Sequence, residues 1–229
     1  MLLGDWLLRF AAGVSRRGNS ANPLRASACC DDATITACQV LYRAQGLPTL
    51  FRIPFLLDPG VDQHLERRGF TAEGETVTLH GDMAGVRSEQ DPAVALLRQS
   101  DAEWLAAMGR LQGHSRERNE AYRRIVELIV IPAAFCGLRK DGQLVALAYG
   151  AVHDRLLCFE SVVTDAAHRG QGHGRRVLKT LAAWGAANGA ASACLQVEAT
   201  NAPARALYHK LGLTTELYRY HYRRAPRGG

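Results

Sequence analysis

The stretch Thr164-Asp165-Ala166-Ala167-His168-Arg169-Gly170-Gln171-Gly172-His173-Gly174-Arg175 lies between an apolar run, Leu156 to Thr164, and an amphipathic one, Arg175 to Ala187. The first run reads as a strand and the second as a helix stopped at Gly189. Three alternating glycines at such a junction let successive amide N–H groups turn inward where the helix dipole is positive, which suits a phosphate or pyrophosphate. The same glycines would also serve a tight connection without a ligand, so the loop alone leaves both readings open. Spacing separates the rival phosphate motifs. A Walker loop needs Gly-Lys followed by a hydroxyl residue, whereas Gly174 is followed by Arg175-Arg176. A dinucleotide fingerprint needs G-x-G-x-x-G, and Gly170, Gly172 and Gly174 give G-x-G-x-G; Glu198, ending the next strand, keeps it as a minor alternative.

Outward from the loop, the second half of the chain reads as a regular succession. Gln143 to Val152 and Leu156 to Thr164 are strands flanking a His153-Asp154 turn, and Ala193 to Glu198 is a strand after the helix. Pro203 to Leu211 is a helix closed by Gly212, and Thr215 to Tyr222 a last strand. Asp101 to Leu111 and Glu117 to Ile131 have helical spacing, the second stopped by Pro132. The first half follows a similar plan. Two strands lie within residues 5 to 22 around a turn at Ala11 to Gly13, followed by a helix from about Asp32 to Gln45 and a strand over Thr49 to Pro54. A helix over Val61 to Arg68 and a strand over Thr76 to His80 complete it. Leu65-Glu66-Arg67-Arg68-Gly69-Phe70-Thr71 can be laid beside Tyr208-His209-Lys210-Leu211-Gly212-Leu213-Thr214, which suggests an internal duplication, although helix-glycine-strand is also a common helix ending.

Composition narrows the function classes. With 47% hydrophobic and 22% charged residues in a chain of 229, a sizeable core is available and wholesale disorder is excluded. No run reaches the ~18 apolar residues of a membrane span, and Asp5, Arg9, Arg16 and Arg17 interrupt any secretion signal, so a cytoplasmic protein without membrane partners is expected. The net charge of +6 favours anionic ligands without naming nucleic acid. The Arg-rich stretches, Arg116 to Arg124 and Arg219 to Arg227, are too diluted or terminal to make a nucleic-acid face, and no nucleic-acid partner is expected. Cys29, Cys30, Cys38, Cys136, Cys158 and Cys194 form no C-x-x-C pair and read as small core fillers; no histidine spacing signals a metal, and none is expected.

Two separated motifs carry a resemblance. Arg169-Gly170-Gln171-Gly172-His173-Gly174 resembles the Q/R-x-x-G-x-G/A acyl-CoA loop of the GNAT superfamily of N-acetyltransferases. Asn201-Ala202-Pro203-Ala204-Arg205-Ala206-Leu207-Tyr208-His209-Lys210-Leu211-Gly212 is similar to its second hallmark, and the likeness extends from about Phe135 to Tyr222. It implies an α/β fold of two GNAT-like units, with mixed, mostly antiparallel central sheets flanked by helices. Residues 1–88 would form a degenerate N-terminal unit and residues 89–229 the acetyltransferase domain. In the first unit the corresponding loop, Ala28-Cys29-Cys30-Asp31-Asp32, has no glycine and sets two acids where an anion would sit, so only the second unit should bind the cofactor.

The resemblance also implies site roles. The strands Leu156 to Thr164 and Ala193 to Glu198 would splay, leaving Val162, Val163 and Thr164 to meet the pantetheine of acetyl-CoA. The loop Gly170, Gln171, Gly172, His173, Gly174 and Arg175 would hold the pyrophosphate through its amides, with Arg169 and Arg175 adding charge and Asn201 and Arg205 further contacts. Asn201 could equally cap the following helix, and Arg176 reads as a solvated helix residue. Tyr208 would donate the proton to the departing sulfur, with Glu160 or Glu198 as base; strand alternation gives Glu160 the parity of Val162 and Thr164. Cys158, His168 and the His173 side chain have no catalytic spacing. Trp6, Arg9 and Arg52 are expected to shape the acceptor pocket or its scaffold. The function implied is acetyl-CoA-dependent, direct transfer of acetyl to a primary amine of a small-molecule acceptor. The alternative is a non-catalytic acyl-CoA sensor or interaction module.

Overall fold

In the computed structural model, which describes residues 1–226, five of the six helices begin on a side chain that takes a free amide of their first turn. Asp31, Asp58, Asp101, Ser115 and Asn201 are those caps, each an ordinary solution to the unpaired N–H groups that open a helix. The helix over His173–Ala187 has no side-chain cap. Arg227 lies outside the described residues.

The chain forms two units, and the division is not a single cut. The first holds Met1–Val77, Glu198–Thr200 and the described residues from Tyr218 on; the second holds Thr78–Val197 and Asn201–Leu217. In the first unit, β1 (Leu2–Leu3), β2 (Trp6–Leu8), β3 (Ala21–Pro23) and β4 (Leu50–Pro54) stand in that order, and β4 pairs antiparallel with β11 (Thr215–Arg224). Helices α1 (Asp32–Ala44) and α2 (Pro59–Arg67) complete it, with Ile35, Cys38 and Tyr42 of α1 packed among Trp6, Phe51 and Leu65. Trp6 is 1% exposed and gives its indole N–H to the Cys29 carbonyl, so it serves the scaffold of the first unit. The segment between β2 and β3 is a long loop rather than a tight turn: the Asn19 side chain accepts from the amides of Ala11 and Gly13 and holds it closed.

In the second unit the order is β10-β9-β8-β7-β6. These are β6 (Val94–Leu97), β7 (Ala133–Lys140), β8 (Gln143–His153), β9 (Leu156–Thr164) and β10 (Ser192–Glu198), antiparallel except for β9 with β10. The fold is therefore α/β with mixed, mainly antiparallel pairing, as the resemblance implies. Helices α3 (Ala102–Gln112), α4 (Arg116–Glu127), α5 (His173–Ala187) and α6 (Ala202–Leu211) flank the strands. Trp104 of α3 stacks edge-on against Phe135 of β7 and bonds the Cys136 carbonyl. Val177, Leu178, Leu181, Ala182 and Gly185 form the buried face of α5. Strand β5 (Thr71–Asp82) passes its residues from Thr78 on to the second unit, while the end of β11 belongs to the first. The unit boundary thus falls inside β5, and the first unit takes back strand residues from the C-terminal part of the chain.

Three local features depart from the sequence reading. Strand β7, an apolar run buried on both faces, has no alternation to reveal it. Helix α4 stops at Glu127, short of Ile131, because Ile129, Val130 and Ile131 are β-branched and the last of them precedes Pro132. The third concerns β9. Its register against β8 pairs Tyr149 with Glu160 and Leu147 with Val163, so Ala148 faces both Ser161 and Val162 in a bulge with Ser161 at φ +53°. Paired residues share a face, so Glu160 lies on the side of Val163, and the parity assigned to it with Val162 and Thr164 is lost.

Candidate active site

The glycine loop forms because most L-residues are strained at two of its positions. Gly170 and Gly172 have φ of +76° and +81°, and Gly172 opens α5 without lending it a side chain. The first intrahelical bond runs from the Arg176 amide to the Gly172 carbonyl, which leaves the amides before Arg176 at the helix mouth without an intrahelical acceptor. Gly174 is small for another reason: a Cβ there would stand 3.1 Å from Thr164 Oγ1, so the helix start can rest against the end of β9. Beside these amides is a cleft of about 440 Å³, lined by Gly170, Gln171, Gly172 and Arg175 from the loop. Across it stand Pro203, Ala206, Leu207 and Lys210 of α6. The lining has two cations and no carboxylate. Free amides, a positive helix end and two cations fit the pyrophosphate of an acyl-CoA.

Three other anticipated residues, Arg169, Arg205 and Asn201, are not in the cleft lining. Arg169 is exposed and gives its Nε–H to the Thr164 carbonyl at 3.4 Å. Asn201 caps α6, its Oδ1 accepting from the Ala204 amide at 3.2 Å. Arg176 is no solvated bystander, since its guanidinium holds both oxygens of Asp91 at 2.5 and 2.9 Å. His173 bonds Gln171 by its ring, and partial burial, with Arg176 next, pushes its pKa below the usual value. Sequence reasoning missed Lys210 and its helix neighbours. The signal was present, because Pro203, Ala206, Leu207 and Lys210 recur at helical spacing and share one face of α6.

Strands β9 and β10 separate where the resemblance implies. Their parallel pairing covers Leu156, Leu157 and Cys158 against Ser192, Ala193 and Cys194, then ends, although β9 continues to Thr164 and β10 through Val197. Val162, Val163 and Thr164 are half-buried in the unpaired length. Tyr208 on α6 is 7% exposed; burial first, and the charge of Glu160 second, pushes its phenol up to about 12. Glu160 also acts on Tyr122, whose hydroxyl bonds Ser161 Oγ at 2.8 Å within the bulge, and it accepts from the Cys158 thiol. Glu198 belongs to the first unit, where it pairs with Arg16 at 2.5 Å and is 54% exposed. Among the described residues, no group of three His, Cys, Asp or Glu side chains is placed to hold a metal, and no helix is long and apolar enough to cross a membrane.

Comparison with known proteins agrees with this geometry. Residues 1–223 match the family described as "Probable histone acetyltransferase Rv0428c C-terminal". The chain is 28% identical over 225 residues to the "Uncharacterized N-acetyltransferase YobR" of Bacillus subtilis, covering 96% of this chain and 90% of that protein. Among solved structures it is similar to a GCN5-related N-acetyltransferase from Kribbella flavida, with a TM-score of 0.70 and 19% identity over 100% of this chain and 89% of the other. It is also similar to a "Tandem GNAT protein from the clavulanic acid biosynthesis pathway (without AcCoA)", with a TM-score of 0.66 and 15% identity over 92% and 76% of the two chains. At these identities the two structures speak for the fold, and the family match over residues 1–223 speaks for kinship: the chain belongs to the Rv0428c C-terminal family of GNAT-fold N-acetyltransferases.

Proposed function

We propose that the protein transfers acetyl from acetyl-CoA directly to a primary amine of a small-molecule acceptor, with the whole reaction housed in the second unit. The observation that carries this reading is the uncapped mouth of α5 behind Gly170 and Gly172, open to a cleft lined by Arg175 and Lys210. Gln171, Gly172, His173, Gly174 and Arg175 would hold the pyrophosphate through their amides, and the unpaired length of β9 from Val162 to Thr164 would hold the pantetheine arm. Bound acetyl-CoA supplies an activated thioester.

Tyr208 acts as the acid: its phenol is kept protonated by burial and by Glu160, so a proton is at hand for a departing thiolate. Glu160 is favoured over Glu198 as base, because Glu160 is the carboxylate whose charge reaches Tyr208 and because Arg16 engages Glu198. The first unit is read as a degenerate copy of the second. Each runs hairpin, helix, parallel strand, helix, and each second helix ends alike: Phe70 N–H to Leu65 O and Leu213 N–H to Tyr208 O, with Gly69 and Gly212 at positive φ. In the first unit Asp31 already caps α1 through the Thr34 amide, so a carboxylate stands where an anion would bind.

Release of free thiol from acetyl-CoA in the presence of an amine panel tests the reading. Tyr208→Phe should lower kcat by about 10²-fold or more with the KM for acetyl-CoA little changed, the size expected for loss of a general acid. Equal rates in the two proteins would remove the acid role, and binding without thiol release for every amine would favour a sensor.

A further inference from the structure

We propose that Cys158 and Cys194 form an oxidation site that closes into an intrachain disulfide on meeting a low-molecular-weight disulfide such as oxidised glutathione. The two residues are register partners and form the last pair of the β9–β10 ladder. Partners on adjacent strands point to the same face with backbones about 4.8 Å apart, inside the Cα separation of about 4.4–6.8 Å that a disulfide bridges. Beyond this pair the β9–β10 ladder ends, while Phe159 and Glu160 of β9 stay paired with Gly150 and Tyr149 of β8. Both cysteines are half-buried, whereas Leu157, Phe159, Ala193 and Leu195 on the opposite face are buried, so the two thiols share the more open side of the strands.

The other thiols make poor competitors. Cys30, Cys38 and Cys136 are buried, and burial pushes each up to about 12, leaving little thiolate near neutral pH. Cys29 is exposed but belongs to the first unit. Cys158 has a proton acceptor at hand, its thiol donating to Glu160 Oε1 at 3.7 Å.

The chemistry is thiol–disulfide exchange. Cys194 gives its proton to water and its thiolate attacks one sulfur of the external disulfide, whose S–S bond breaks to release one thiolate, which takes up a proton. Cys158 passes its proton to Glu160 and attacks the Cys194 sulfur. The Cys158–Cys194 bond forms, and the second external thiol leaves with the proton returned from Glu160. Two cysteine thiols are oxidised and one external disulfide is reduced to two thiols.

The test needs no acetyl transfer, so its outcome is independent of the proposed activity. A Cys29→Ser chain, folded and fully reduced, is incubated with oxidised glutathione, quenched in acid, alkylated and digested with trypsin. The expected result is loss of two free thiols, a cross-linked species joining the peptide spanning residues 156–169 to that spanning 180–205, and its disappearance after dithiothreitol. Adding Cys158→Ser should stop the reaction at a glutathione adduct on Cys194. Recovery of both cysteines alkylated, or bearing glutathione separately in the Cys29→Ser chain, would overturn the proposal.

Discussion

Two residues show how local surroundings set proton affinity in this chain. Tyr208 is pushed up to about 12 by burial and by Glu160, so the acid role proposed for it predicts no alkaline loss of kcat from this group until near that value. Asp62 is displaced the other way. Arg223, only 6% exposed, donates to both its oxygens at 2.7 and 2.9 Å, and His221 adds a further contact, so Asp62 is held below the ordinary aspartate value. A depressed carboxyl stabilises the fold above its unfolded value of 3.8 and loses that contribution as pH falls through the folded value. Asp62→Asn should therefore unfold at lower temperature than the parent near neutral pH and show a shallower loss of Tm in acid. Parallel Tm–pH curves would contradict this. Neither environment was legible from sequence: Tyr208 was identified through its motif, whereas the partnership of Asp62 and Arg223 joins residues far apart in the chain.

At the scale of elements, α5 and β9 show what sequence reading captures. The amphipathic face Val177, Leu178, Leu181, Ala182 announces the helix, and the apolar run Leu156 to Thr164 announces the strand with its observed ends. The glycine loop between them was legible because its φ values demand glycine. The bulge at Ser161 was not, since register is decided by β8, and with it went the side on which Glu160 lies. Close approach was likewise hidden. A Cβ on Gly185 would stand 2.6 Å from Leu157 Cδ2, so helix and strand touch at a glycine that reads from sequence only as a weak helix former. Gly185→Ala should gain helix propensity yet lose net stability, by about 1–3 kcal/mol for an overpacked contact, read by chemical denaturation. A more stable variant would show that Leu157 can yield.

The whole molecule depends on strands contributed across the chain. The unit boundary falls inside β5, whose Thr78–Asp82 open the second unit, and the end of β11 returns to the first, a return that no local pattern could announce because the segment reads simply as a strand. Close backbone contact accompanies it within the second unit, where a Cβ on Gly81 would meet the Gly212 carbonyl at 2.3 Å. Deleting residues 1–85 should therefore yield an aggregating fragment, since it strips a strand from the unit that holds the glycine loop. A soluble fragment with cooperative unfolding would contradict that dependence. The account as a whole stands on anion capture at the mouth of α5, and calorimetric titration with acetyl-CoA tests it most directly. The parent should bind one equivalent; Gly172→Asn, which tolerates positive φ, should retain binding, and Gly172→Asp should weaken it at least about tenfold, ~1.4 kcal/mol, by setting a carboxylate against the pyrophosphate. Equal affinity for Asn and Asp variants, or two equivalents bound per chain, would contradict the account.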